Sequence, residues 1–315
     1  MQFFPAYSKP GSPHVAAFYE RASGSWQYVA WCPATQKAVI IDPVLDFDPH
    51  AGATWTYSAD ELIDYVRSEG LDVEWVLDTH PHADHFSSAH YIKEQLGGAP
   101  KQAIGALVLR VQDIWSDMYA DDSLAGHAEY WDQLFEPGDR FRVGNCEIGV
   151  SLSTGHTLAS ITYTMGDAIF AHDTFMMPDS GTSRCDFPGG SSAEMWDTLQ
   201  AILSQPDDAR IFVGHDYCKD GRKEACMATV AEQKATNIHV GGDVSKKDYI
   251  ATRDTRDATL PMPGRMLYAL QVNIRGGRLP EPDARGRAVF SVPINRFTSS
   301  LAKTFESDPA ARAAE

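Results

Sequence analysis

Two apolar, β-prone runs at 26–32 and 37–41 flank Pro33-Ala34-Thr35-Gln36, and the pattern predicts a hairpin. Ser58-Ala59-Asp60-Glu61 has the form of a capping box. Leu62 and Val66 behind it, stopped at Gly70, predict a short amphipathic helix. A compact apolar strand at 73–77 leads straight into Thr79-His80-Pro81-His82-Ala83-Asp84-His85. Ala89, Ile92, Lys93 and Leu96 then recur at helical spacing up to Gly97-Gly98. Gly144-Asn145 sits between strand-like runs at 140–143 and 147–152, and Gly166-Asp167 between runs at 160–165 and 168–171, which predicts two more hairpins. Ser191-Ser192-Ala193-Glu194 caps a helix carrying Trp196, Leu199, Ile202 and Leu203. A strand at 210–213 follows, then a helix at 222–236 and another opening at Ser245.

Strand pairs interleaved with helices in this order point to a layered α/β arrangement with mixed sheets. His80, His156, Asp173 and His215 each fall just past a predicted strand, where loops gather site residues. The stretch from Ser299 onward is rich in alanine and charge and is expected to fray.

A length of 315 residues suffices for one large domain or two small ones, and 43% hydrophobic with 22% charged residues is ordinary for a globular protein. The formal charge of −16 disfavours nucleic acid and anionic membranes as partners, and an anionic substrate would need a local basic patch. The five cysteines, Cys32, Cys146, Cys185, Cys218 and Cys226, are widely spaced with no Cys-x-x-Cys pair. That spacing argues for free thiols and a reducing compartment. The first residues lack a basic region followed by an apolar stretch, and no apolar run approaches the roughly 18 residues that span a bilayer, so the expected location is cytoplasmic.

The chemistry concentrates in the histidine run. His80, His82, Asp84 and His85 place four potential ligands within six residues, and imidazole nitrogen with carboxylate oxygen suits zinc, iron or manganese. His14, His50, His90, His127 and His239 stand alone and read as ordinary core or surface residues. Gly155-His156-Thr157, whose glycine lets the backbone come close to the site, Asp173 and Gly214-His215-Asp216 supply further ligands. The candidate set is His80, His82, Asp84, His85, His156, Asp173 and His215. That is enough for two ions, or for one ion with the rest hydrogen-bonded around it.

The His-x-His-x-Asp-His run, the Gly-His-Thr, the isolated Asp173 and the His215-Asp216-Tyr217 together resemble the metallo-β-lactamase fold superfamily over about residues 14–240. The resemblance implies an αββα sandwich, two packed mixed β-sheets flanked by helices, with the site along one edge. Within the superfamily, Ile41-Asp42-Pro43-Val44-Leu45, Ser183-Arg184-Cys185-Asp186-Phe187, the stretch 229–234 and Leu279-Pro280-Glu281-Pro282 are most similar to the persulfide dioxygenases of the ethylmalonic encephalopathy protein type and their bacterial β-lactamase-like hydrolase relatives. On that pattern residues 1–298 form one domain, with a core at 14–240, a C-terminal extension at 241–298 and a flexible tail at 299–315.

The resemblance implies one Fe(II) per chain, held by His80, His156 and Asp173, which are then the catalytic residues. His82, Asp84, His85 and His215 would form a vestigial second site. The implied reaction is oxidation of a low-molecular-weight persulfide, such as glutathione persulfide, by O₂ to sulfite and the thiol. Arg184 would pair with a substrate carboxylate through its bidentate fork, or else make a structural pair with Asp186. Tyr217 is a second candidate substrate contact, and a homodimer would fit the family. The alternative is a hydrolase of a thioester or lactone, similar to glyoxalase II, with two Zn(II) ions spanned by Asp173. Three features depart from the family pattern: Pro81, His172 in place of a small glycine, and an aromatic-rich stretch at 115–136 that reads as a helical insertion beside the substrate entrance or as plain core.

Overall fold

In the computed structural model, which describes residues 1–297, alternate side chains of the strand Ser25–Trp31 face two different cores. Trp26, Tyr28 and Ala30 point into one, Val29 and Trp31 into the other, and Val39 and Ile41 against Ala38 and Ile40 repeat the division one strand along. This period of two on a strand buried on both faces is the signature of a central layer. That strand belongs to a seven-stranded sheet running Gln2–Phe4, His14–Glu20, Ser25–Trp31, Lys37–Ile41, Asp72–Leu77, Lys101–Gly105 and Gln133–Phe135. The first four strands pair antiparallel and the last four parallel.

A second sheet of six strands is a meander from Arg140–Val143 through Cys146–Leu152, Ile161–Met165, Ala168–His172 and Arg210–Val213 to Met227–Thr229. Only Ala168–His172 and Arg210–Val213 are parallel, joined across the helix Ser192–Leu203. The inner faces of the two sheets share one core, in which Tyr28, Ile41 and Leu77 meet Ile148, Tyr163 and Phe170. Helices Tyr57–Ser68 and Ala89–Gln95 close the outer face of the first sheet through Leu62, Ile63, Val66 and Ile92. Ser192–Leu203 covers the second through Met195 and Leu199. The result is the αββα sandwich. No helix among the described residues is long and apolar enough to cross a membrane. The expected tail at 299–315 lies outside the described residues.

Three local expectations change. The helix at 57–68 starts at Thr56 with no side-chain cap: Thr56 Oγ1 donates to the Asp60 carboxylate, and Ser58 Oγ donates to Asp46 Oδ1 at 2.6 Å. The expected helix at 222–236 shrinks to Val230–Thr236, since residues 227–229 pair with the strand Arg210–Val213. Its start was legible: Thr229 and Glu232 make a full capping box. The stretch at 115–136 holds the end of a helix, Val108–Tyr119, then short turns and the edge strand Gln133–Phe135. Trp115 and Tyr119 pack against Met266 and Leu270 of the helix Met266–Asn273, so these aromatics are core.

Candidate metal centre

Every candidate ligand leaves a strand at its C-terminal end on the same edge of the sandwich. Asp72–Leu77 delivers the loop with His80, His82, Asp84 and His85; Cys146–Leu152 delivers His156, Ala168–His172 delivers Asp173, and Arg210–Val213 delivers His215. Two glycines make the convergence sterically feasible. Gly155, at φ +130, lies so close to the helix Ser192–Leu203 that a Cβ would sit 2.3 Å from the Met195 Cα. A Cβ on Gly214 would meet Asp173 Oδ1 at 2.3 Å.

The ligands sort into overlapping groups. His80, His156 and Asp173 form one triad, with His80 Nε2 3.9 Å and His156 Nε2 3.5 Å from Asp173 Oδ2. These separations are close to those around a single ion bound at about 2.0–2.2 Å. His80 Nε2 and Asp173 Oδ1 are buried without a hydrogen-bond partner. Orphaned buried polar atoms of this kind call for a ligand, so the donor set fits a metal ion. His156 Nδ1 donates to the Arg184 carbonyl at 2.8 Å, which fixes its tautomer and leaves Nε2 as the free donor. Burial, with His82, His172 and His156 around it, holds the His80 imidazole well below its ordinary pKa and therefore neutral. Burial alone would raise Asp173, but His215 and His156 outweigh it and keep a carboxylate.

A second group shares Asp173. His215 Nε2 lies 3.3 Å from both Asp173 Oδ1 and Asp84 Oδ2, and burial notwithstanding those two carboxylates hold its pKa well up. His85 turns Nδ1 to Asp84 Oδ2 at 3.0 Å, and Ser25 Oγ donates to Asp84 Oδ2 at 3.1 Å. His82 does not converge with the triad. It falls with Asp84 and His85, and its Nε2 is 3.0 Å from Asp42 Oδ1. Burial would lower His82, but Asp42 wins and pushes it up to about 9.

The loop is locked from three directions that the sequence pattern did not reveal. Asp42, buried at φ +50, accepts from Thr79 N at 2.7 Å and Thr79 Oγ1 at 2.8 Å. Ser25 braces Asp84. Asn273 Nδ2, from the helix Met266–Asn273, donates to the carbonyls of His82 at 2.7 Å and His85 at 2.8 Å, while its Oδ1 accepts from Ser87 N at 2.8 Å.

A cavity of about 590 Å³ opens onto His156, Asp173 and His215, walled by Met176, Phe187, Ile238 and Leu260. Tyr217 stands at its mouth, 64% exposed and stacked on His215. Arg184 also lines it, but its fork is taken: Nε and Nη2 donate to Asp186 at 2.6 and 2.7 Å, and Nη1 donates to the Pro261 carbonyl. The structural pair with Asp186 is therefore what the structure contains. Arg256 and Lys219 line the same cavity and make no ion pair among the described residues. Cys185 is buried with its thiol pushed up to about 12, chiefly by burial, and all five cysteines are free.

The sequence model of the Metallo-beta-lactamase superfamily matches residues 22–215, a span that includes every candidate ligand. The chain belongs to this superfamily. A Beta-lactamase hydrolase-like protein of Agrobacterium fabrum is 52% identical over 288 residues, 91% of this chain and 66% of that protein. The chain thus spans just under two thirds of the length of that relative. Glyoxylase B2 of Dictyostelium discoideum is 38% identical over 89% of this chain and 97% of its own. The mitochondrial Persulfide dioxygenase ETHE1 of Homo sapiens is 23% identical over 82% and 87%. Among solved structures, ETHE1 from Myxococcus xanthus superposes with a TM-score of 0.67 at 26% identity, covering 84% of this chain and 99% of that one.

Proposed function

We propose that this superfamily member is a mononuclear iron dioxygenase that oxidises a small anionic persulfide. The observation that carries the reading is the convergence of His80 and His156 on one oxygen of Asp173, while His82 is tied to Asp42 and His85 and His215 turn to Asp84. His80, His156 and Asp173 would hold the ion with two imidazoles and one carboxylate, a donor set suited to ferrous oxygenases. A bound ferrous ion would supply the redox centre at which the sulfur and O₂ react. In balance, a persulfide, O₂ and one water give the thiol and sulfite, with four electrons passing from sulfur to O₂.

The chain's own residues provide the rest. The Arg184 carbonyl and Thr79 orient the two imidazoles, and Phe187, Met176, Ile238 and Leu260 keep the cavity wall dry. Arg256 and Lys219 supply the local positive charge that an anionic substrate needs on a chain of net charge −16. Replacing Arg256 by alanine is expected to raise KM for glutathione persulfide about tenfold with kcat nearly unchanged, because a charge-assisted contact to the substrate is lost in ground and transition state alike. An unchanged KM would remove Arg256 from the substrate site.

A second reading has its own support. The Asp84, Asp173, His215 group shares Asp173 with the triad, as a dinuclear hydrolase would require, and one relative carries the name Glyoxylase B2. Metal analysis of the purified protein, paired with oxygen uptake on glutathione persulfide, separates the two. About one iron per chain with O₂ consumption and sulfite release is expected. Two zinc ions per chain, no O₂ uptake and cleavage of a thioester would establish the hydrolase instead.

A further inference from the structure

We propose that His172 is a positioning residue that sets the direction of the metal ligand His80 and the turn into Asp173. It holds for either chemistry at the centre. His172 ends the strand Ala168–His172, immediately before Asp173, and its backbone is in the left-handed region at φ +41, where a side chain is disfavoured and glycine is at ease. The pairing with Arg210–Val213 slips at this point, so the chain turns out of the sheet through the disfavoured residue itself. A strained conformation of this sort persists only when its surroundings over-determine it.

The surroundings do so. The imidazole is only 2% exposed and lies against the ring of His80, centroids 4.9 Å apart. Its Nε2 is 3.2 Å from Ser153 Oγ and 3.4 Å from Thr174 Oγ1, and Ser153 Oγ in turn accepts from Thr162 Oγ1 at 3.0 Å. Nδ1 is buried without a partner, so among the described residues the ring's only hydrogen-bond contacts are those at Nε2. His172 belongs to none of the ligand groups, so it does not itself hold the ion. Ser153 and Thr174 fix the ring from one side, and its other neighbour is His80, whose Nε2 it aims toward Asp173.

The test uses Co(II) added to metal-free protein, with affinity read by competition against a chromophoric chelator and geometry read from the visible absorption bands. His172→Asn keeps tolerance of the left-handed backbone but removes the ring from His80. Ser153→Ala keeps the ring and removes its anchor. Co(II) affinity is expected to fall about tenfold or more in His172→Asn and in the same direction, less far, in Ser153→Ala, with shifted bands in both. Thermal melting of the metal-free proteins accompanies the titrations. A lower melting temperature with affinity and bands unchanged would make His172 a packing residue and overturn the proposal. Should His172→Asn not fold, Ser153→Ala decides: parent-like affinity and bands refute the positioning role.

Discussion

Replacing His80 by alanine is expected to strip the centre of its metal and lower turnover by at least about a thousandfold. Its Nε2 is a buried donor with no protein partner, aimed at the same Asp173 oxygen as His156. Removing it leaves one imidazole and one carboxylate, too few to hold a divalent ion against solvent. Folding should survive, because the lost side chain is neutral and its one hydrogen-bond contact, Nδ1 with Thr79 Oγ1 at 3.1 Å, leaves Thr79 still bound to Asp42. Metal content by mass spectrometry and the circular dichroism spectrum check both halves. A folded variant that kept its metal and full activity would show that the centre lies elsewhere.

Asn273→Ala should damage the same site from a distance. The amide satisfies three backbone groups of the ligand loop, the carbonyls of His82 and His85 and the N–H of Ser87, all buried. Each polar group left buried and unpaired costs about 1–3 kcal/mol, so the expected loss is about 3 kcal/mol or more. The second effect is on the metal: His82, Asp84 and His85 ride on a loop that has lost its clamp, and metal affinity should fall with stability. Thermal unfolding of metal-free and metal-loaded protein separates the two, and an Asn273→Ala protein with parental melting temperature and metal content would show the clamp to be idle.

How much of this was legible in the sequence depends on the range of the interaction. The convergence of the candidate ligands was readable because each follows a strand whose apolar run is local, and because histidine at alternate positions beside an acid is rarely accidental. The hairpins at Gly144-Asn145 and Gly166-Asp167 were equally local. Asp42, Ser25 and Asn273 were not assigned, since their partners are backbone groups or side chains far along the chain and no spacing rule connects them. The Arg184 fork could be read two ways because the substrate carboxylate and Asp186 offer it the same chemistry; the structure contains the acid two residues away. The helix expected at 222–236 failed where Arg222 reaches back to Asp179 and Asp216, holding the chain extended until the Thr229 cap.

The Asn273 clamp has a consequence for the order in which the molecule is made. All seven candidate ligands lie before residue 216, so a chain emerging from the ribosome presents them well before Asn273 exists to fix their loop. In that interval Asp42 and Ser25 can already brace the loop, but the carbonyls of His82 and His85 lack their partner. The part of the cluster that carries His82 and His85 is therefore completed last, when residue 273 has been added and the last helix docks on the loop.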